Sequence, residues 1–125
     1  MTVVEFGNLN YDPNDDFPDY VIPLSNAIVN KSIDRGIAIC GSGVGASIAA
    51  NKIHGTRAGL IHDCFSARQG VEDDDMNILC LGGRVIGGEA AWEITKTFLN
   101  AKFSSIERHK RRLDKIYLVE NHFFG

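Results

Sequence analysis

Short apolar runs rich in β-branched residues, separated by helix-length segments, predict an α/β fold: a three-layer α/β/α sandwich on a parallel, Rossmann-like doubly wound sheet. Three observations point there. Residues 36–40, 58–62 and 77–81 are almost continuously hydrophobic, the mark of strands buried on both faces. Amphipathic stretches lie between them, as the crossovers of parallel strands require. The 125 residues, 44% hydrophobic and 23% charged, suit one domain spanning residues 1–125.

Taken in order, Val3-Val4-Glu5-Phe6, closed by Gly7, reads as a first strand, and the acidic stretch 8–16 as a surface loop. Residues 18–31 read as a helix: Pro18 suits its first turn, and Tyr20, Val21, Leu24, Ala27 and Ile28 make an apolar face. The strand 36–40 leads into a helix of small residues over 44–53, stopped at His54-Gly55. The strand 58–62 is followed by a short helix over 66–72. The strand 77–81 leads to a helix over 88–99 packed through Trp92, Ile94, Phe98 and Leu99. A basic helix over 107–118 completes the series.

Thirteen Lys and Arg against sixteen Asp and Glu give a formal charge of −3, which supplies no general basic field for nucleic acid or an anionic membrane. No apolar run approaches membrane-spanning length, and the first residues lack a signal layout, so a cytoplasmic protein is expected. Cys40, Cys64 and Cys80 are an odd number without CxxC spacing, which argues against a disulfide scaffold or a zinc site. Cys64 and Cys80 read as small buried packing residues.

The most informative segment is Cys40-Gly41-Ser42-Gly43-Val44-Gly45-Ala46, between a buried strand and a helix. Three glycines let the backbone turn sharply and aim successive N–H groups at one point, and the helix adds its positive end. Such a loop suits a phosphate, a carboxylate or a developing oxyanion. Cys40 at its edge is a candidate base or nucleophile. A second reading stays open: Gly41-x-Gly43-x-x-Ala46 meets a dinucleotide fingerprint, with Asp63 where a ribose-binding acid is expected.

The same loop, continued by Ser47-Ile48-Ala49-Ala50-Asn51-Lys52, resembles the signature of type B ribose-5-phosphate isomerases, a family that includes the galactose-6-phosphate isomerase subunits. The likeness extends through Phe6-Gly7, Asp16-Phe17-Pro18-Asp19-Tyr20, Arg57-Ala58, Ser66-Ala67-Arg68, the run from Asp75-Met76-Asn77 to Gly82-Gly83-Arg84-Val85-Ile86-Gly87, and Arg108-His109 with Arg112. It implies aldose–ketose isomerisation of a sugar phosphate through a cis-enediolate, with no metal and no organic cofactor. Ribose 5-phosphate is the first candidate substrate, and a tetrose or hexose phosphate the alternative.

By the same resemblance, Cys40 is the base and Ser42 keeps a hydroxyl beside it, where the family usually has Thr. The N–H groups of Gly41, Gly43, Val44 and Gly45 hold the enediolate oxygen. Arg84, Arg108 and Arg112 hold the phosphate, the last two sharing a helix face at i,i+4. Asn77 lies on the same site segment. Asp73 and Asp74 stand where the family has His-Asn in the ring-opening segment, making Asp73 the candidate for that step. Phe17 replaces a frequent Tyr. The family's Asp-His pair, on its first strand and helix, has no counterpart, so either that βα unit is missing, leaving an unpaired interior sheet edge, or another segment fills its place. The resemblance also implies a homodimer or homotetramer with shared sites; a catalytically impaired subunit is a further alternative.

Overall fold

The computed structural model describes residues 1–8 and 10–124, with side chains through His122. Eight elements follow in chain order: α1 (Pro18–Val29), β1 (Gly36–Cys40), α2 (Val44–Ala50), β2 (Ala58–Leu60), α3 (Cys64–Asp74), β3 (Ile78–Gly82), α4 (Gly88–Asn100) and α5 (Glu107–Phe124). The strands form a parallel sheet of order β1-β3-β2, with Gly36 opposite Ile78 and Cys40 opposite Gly82.

Strand β3 is central, and all five of its residues are buried. Because successive side chains point to opposite faces, it divides the core. Ile78 and Cys80 join Ala38 under α1 and α2, while Leu79 and Leu81 join Ala67, Val71, Ile94 and Phe98 under α3 and α4. The expected three layers are therefore present. Helix α5 packs against α3.

Residues 3–6 do not form the expected first strand. No strand among the described residues offers them ladder partners; Val3 and Val4 are exposed, and only Phe6 reaches the core. Likewise β1 pairs on one side only among these residues. The loop 8–16 is a surface segment as expected, apart from Leu9, which lies outside the described residues.

Other boundaries move for local reasons. Helix α2 stops at Ala50 rather than residue 53, because the Thr56 hydroxyl takes up the carbonyls of Ala50 and Ile53. Helix α3 starts two residues early because Asp63 caps it, accepting the Ser66 N–H at 2.8 Å. Strand β2 ends at Leu60 rather than 62, where His62 turns to accept the Gly82 N–H at 3.0 Å. Helix α5 runs past residue 118, held where Glu120 accepts the Gly55 N–H at 3.0 Å.

Candidate active site

The glycine loop leaves the carboxyl end of β1, where open parallel sheets place their ligand crevices. Gly43 has φ of 83°, and a Cβ there would lie 2.5 Å from Leu60 and 2.9 Å from the Leu81 backbone, so only glycine fits. The turn brings the Gly43 N–H to the Cys40 sulfur at 3.2 Å. Cys40 is half-buried, with its sulfur held in the loop rather than sealed in the core. The Val44 N–H faces the Ser42 hydroxyl at 3.3 Å. Two of the four amides expected to hold an oxyanion thus have partners within the loop, while Gly45 lies in the first turn of α2, where N–H groups have no intrahelical partner.

The loop after β3 is laced to this one. Gly83 N–H donates to the Cys40 carbonyl at 2.8 Å, and Arg84 N–H to the Gly41 carbonyl at 3.0 Å. This sets the exposed Arg84 side chain beside Gly41, within 4 Å of where a Cβ would be. Phe17, capping α1, lays its ring so closely over Gly45 that a Cβ there would be 2.6 Å away. Cys40, Ser42, Arg84 and Phe17 therefore share one end of the sheet.

The other two cysteines differ from Cys40 and from each other. Cys80 is fully buried, and burial, with the nearby Cys40 charge, pushes its thiol up to about 12. Cys64, expected to be buried, is instead exposed in the first turn of α3, because the Asp63 cap starts that helix early.

The remaining candidate residues gather at the opposite end. Four register steps along β3, about 13 Å at strand rise, separate the level of Cys40 from Ile78. Asn77 precedes that point, and its side chain is occupied there: Oδ1 accepts the Arg57 N–H at 2.7 Å and Nδ2 donates to the Gly55 carbonyl at 3.0 Å. Asn77 thus serves the turn into β2 and is not beside Cys40 within the chain. Asp73 and Asp74 end α3 at this same end of the sheet. Asp73 lies 3.5 Å from the buried His109, and Asp74 borders an open groove shared with Lys115.

Arg108 and Arg112 are exposed on α5, whose first turns lie against this end of α3 through Ser104–Glu72 and His109–Asp73. The candidate residues thus fall into two groups at opposite ends of the sheet rather than one. Three residues outside the candidate set shape this arrangement: His62, which holds Gly82; Phe17, a wall of the loop; and His109, buried beside Asp73. His109 could have been found from the spacing His109, Leu113, Tyr117, the inward stripe of α5.

The alternative dinucleotide reading loses its acidic residue, since Asp63 is spent as the α3 cap. Among the described residues there is no cluster of three metal-ligating side chains and no helix long and apolar enough to cross a membrane.

Residues 1–116 match the family described as ribose/galactose isomerase. Escherichia coli ribose-5-phosphate isomerase B is 39% identical over 105 residues, covering 84% of this chain and 70% of the relative. The D-erythrulose-4-phosphate isomerase of Pectobacterium atrosepticum is 40% identical over 106 residues, covering 82% and 68%. Among solved structures, Clostridium thermocellum ribose-5-phosphate isomerase B superposes with a TM-score of 0.90 at 40% identity, covering 96% of this chain and 80% of that one.

Proposed function

Because the chain belongs to the ribose/galactose isomerase family, we propose that it interconverts an aldose phosphate and its ketose phosphate, with ribose 5-phosphate and ribulose 5-phosphate as the principal pair. One observation carries the reading: the Cys40 sulfur, fixed by the Gly43 N–H, sits at the carboxyl end of β1 with Arg84 beside the same loop. Cys40 takes the proton from C2 of the open-chain aldose and returns it to C1. The Ser42 hydroxyl serves the proton that passes between O2 and O1. The N–H groups of Gly41 and Gly45 stabilise the enediolate oxygen, and preorganised donors of this kind are a large share of such catalysis.

The candidate phosphate-holding arginines are divided between the two ends of the sheet, Arg84 at one and Arg108 with Arg112 on α5 at the other. A complete site therefore draws on two copies, one giving Cys40, Ser42 and Arg84, the other Asp73, Arg108 and Arg112. This division favours a homodimer or larger assembly.

A tetrose phosphate is the second reading. It is favoured by Asp73 at the ring-opening position, because a substrate that cannot cyclise needs no ring opening, and by the likeness to D-erythrulose-4-phosphate isomerase. Assays of ribose 5-phosphate and D-erythrulose 4-phosphate with wild type and Cys40→Ala test both. Removing a general base costs about 10²- to 10⁴-fold in rate, so Cys40→Ala should lose at least that much on the true substrate. Turnover of neither sugar by wild type, or full activity of Cys40→Ala, contradicts the proposal.

A further inference from the structure

Beyond the expected site residues, α5 carries a histidine that no step above uses. His109 is only 4% exposed, although its neighbours Arg108 and Lys110 are exposed. Its ring spans two partners: Nδ1 lies 2.7 Å from the Ser104 hydroxyl, and Nε2 lies 3.5 Å from Asp73 Oδ1. Ser104 is itself fastened to α3, since its N–H donates to the Glu72 carbonyl at 2.9 Å. The next residue, Ser105, has φ of 59°, a left-handed conformation that non-glycine residues adopt at a cost. The turn between α4 and α5 is thus held strained at the point where Ser104 meets the ring.

We infer that Ser104 and His109 form a positioning relay for Asp73, so that the carboxylate in place of the usual histidine can open a cyclic sugar phosphate. The inference rests on the isomerase reading above and goes beyond it by assigning these two residues. The direction of the relay follows from donor counting. The Asp73 carboxylate can only accept, so a neutral ring facing it carries its proton on Nε2 and takes the Ser104 hydroxyl proton at Nδ1, while the Ser104 oxygen accepts the Ile106 N–H at 3.3 Å. Nε2 then carries the ring proton on the side of Asp73 Oδ1, 3.5 Å away at the outer limit of hydrogen-bond reach. Tethering one carboxylate oxygen leaves the other to face substrate. A third group orienting the acting acid or base is a general device of catalytic sites.

The step is balanced. Asp73 accepts the proton of the anomeric hydroxyl, and the O1 electrons form the C1 carbonyl. The C1–O4 bond breaks with its electron pair going to O4, and O4 takes the proton back from Asp73. His109 is buried and touches no reacting atom, so it acts through Asp73.

The test compares two substrates. Ribose 5-phosphate closes a five-membered ring through O4; D-erythrulose 4-phosphate carries its phosphoryl group on O4 and stays open. His109→Leu should lower kcat on ribose 5-phosphate about 10- to 100-fold, the range for losing an orienting partner, with little change in KM, and leave turnover of D-erythrulose 4-phosphate within about two-fold. His109→Gln, whose amide can donate to Asp73, should recover most of the loss. Ser104→Ala, at an exposed position, should show a smaller loss with the same substrate pattern, and it carries the test if the buried leucine impairs folding. In an Asp73→Asn background, His109→Leu should add nothing further.

Equal losses on both substrates, or an undiminished effect of His109→Leu in the Asp73→Asn background, overturn the relay while leaving the isomerase reading intact. Wild-type turnover of the tetrose phosphate alone does the same. Absence of turnover on any sugar phosphate overturns both.

Discussion

Asp63 shows how one residue can satisfy two sequence patterns and serve only one. It stands where a ribose-binding acid would, yet its carboxylate accepts the Ser66 N–H at the head of α3. That hydrogen bond, chiefly with the Ser66 backbone, lowers its pKa below the usual 3.8. A carboxyl whose folded pKa is depressed adds stability above its unfolded pKa, and the contribution is lost as pH falls through the folded value. Urea unfolding should therefore find Asp63→Ala less stable than wild type near neutral pH, with the gap narrowing below about pH 4. Asp63→Asn, which keeps a capping oxygen, should lose less near neutrality. A gap that widens in acid would contradict the cap.

The three thiols should separate at the same scale. Iodoacetamide on the native protein near pH 8 should label exposed Cys64 and half-buried Cys40, sparing Cys80 until the chain is unfolded. Bound ribulose 5-phosphate should protect Cys40 and not Cys64. Peptide mass spectrometry reads the outcome, and Cys80 labelled in the native state would contradict its sealed position under α1 and α2.

At the scale of elements, most of the fold was legible because burial on both faces leaves a plain trace. Strand β3, Ile78–Gly82, is apolar at nearly every position because helices cover both its sides. Leu79→Ala should then cost about 2–5 kcal/mol, the range for emptying a packed leucine site, measured as a shift in the urea midpoint with an unchanged slope. A loss below about 1 kcal/mol would mean that the α3–α4 face is loosely packed.

The misreadings share a cause. Residues 3–6 have strand composition, but a strand needs a neighbour, which local sequence does not supply. The early start of α3 and the stop of α2 depend on the side-chain caps Asp63 and Thr56, which hydrophobic periodicity does not register. Within the site, the loop from Cys40 to Gly45 was legible because glycine spacing encodes backbone shape directly. His109 was hidden because its burial depends on how α5 lies on α3.

At the scale of the molecule, a parallel sheet explains why the candidate residues separate. Cys40, Ser42 and Arg84 occupy the carboxyl ends of the strands, while α3 returns the chain to the other end and delivers Asp73. Helix α5 then begins against that returning end, where the Ser104 N–H donates to the Glu72 carbonyl, and carries Arg108 and Arg112 there. Local motifs picked out the candidate residues but not their placement at opposite ends of the sheet.

Division of the active site between copies is the central claim, and subunit complementation measures it directly. Cys40→Ala and Arg112→Ala, each inactive alone, are unfolded together and refolded as an equal mixture. Random pairing puts half the dimers in mixed form, each with one intact site, so activity should return to about a quarter of the wild-type value. A mixture of folded, assembled protein that stays as inactive as its two components would contradict the shared site.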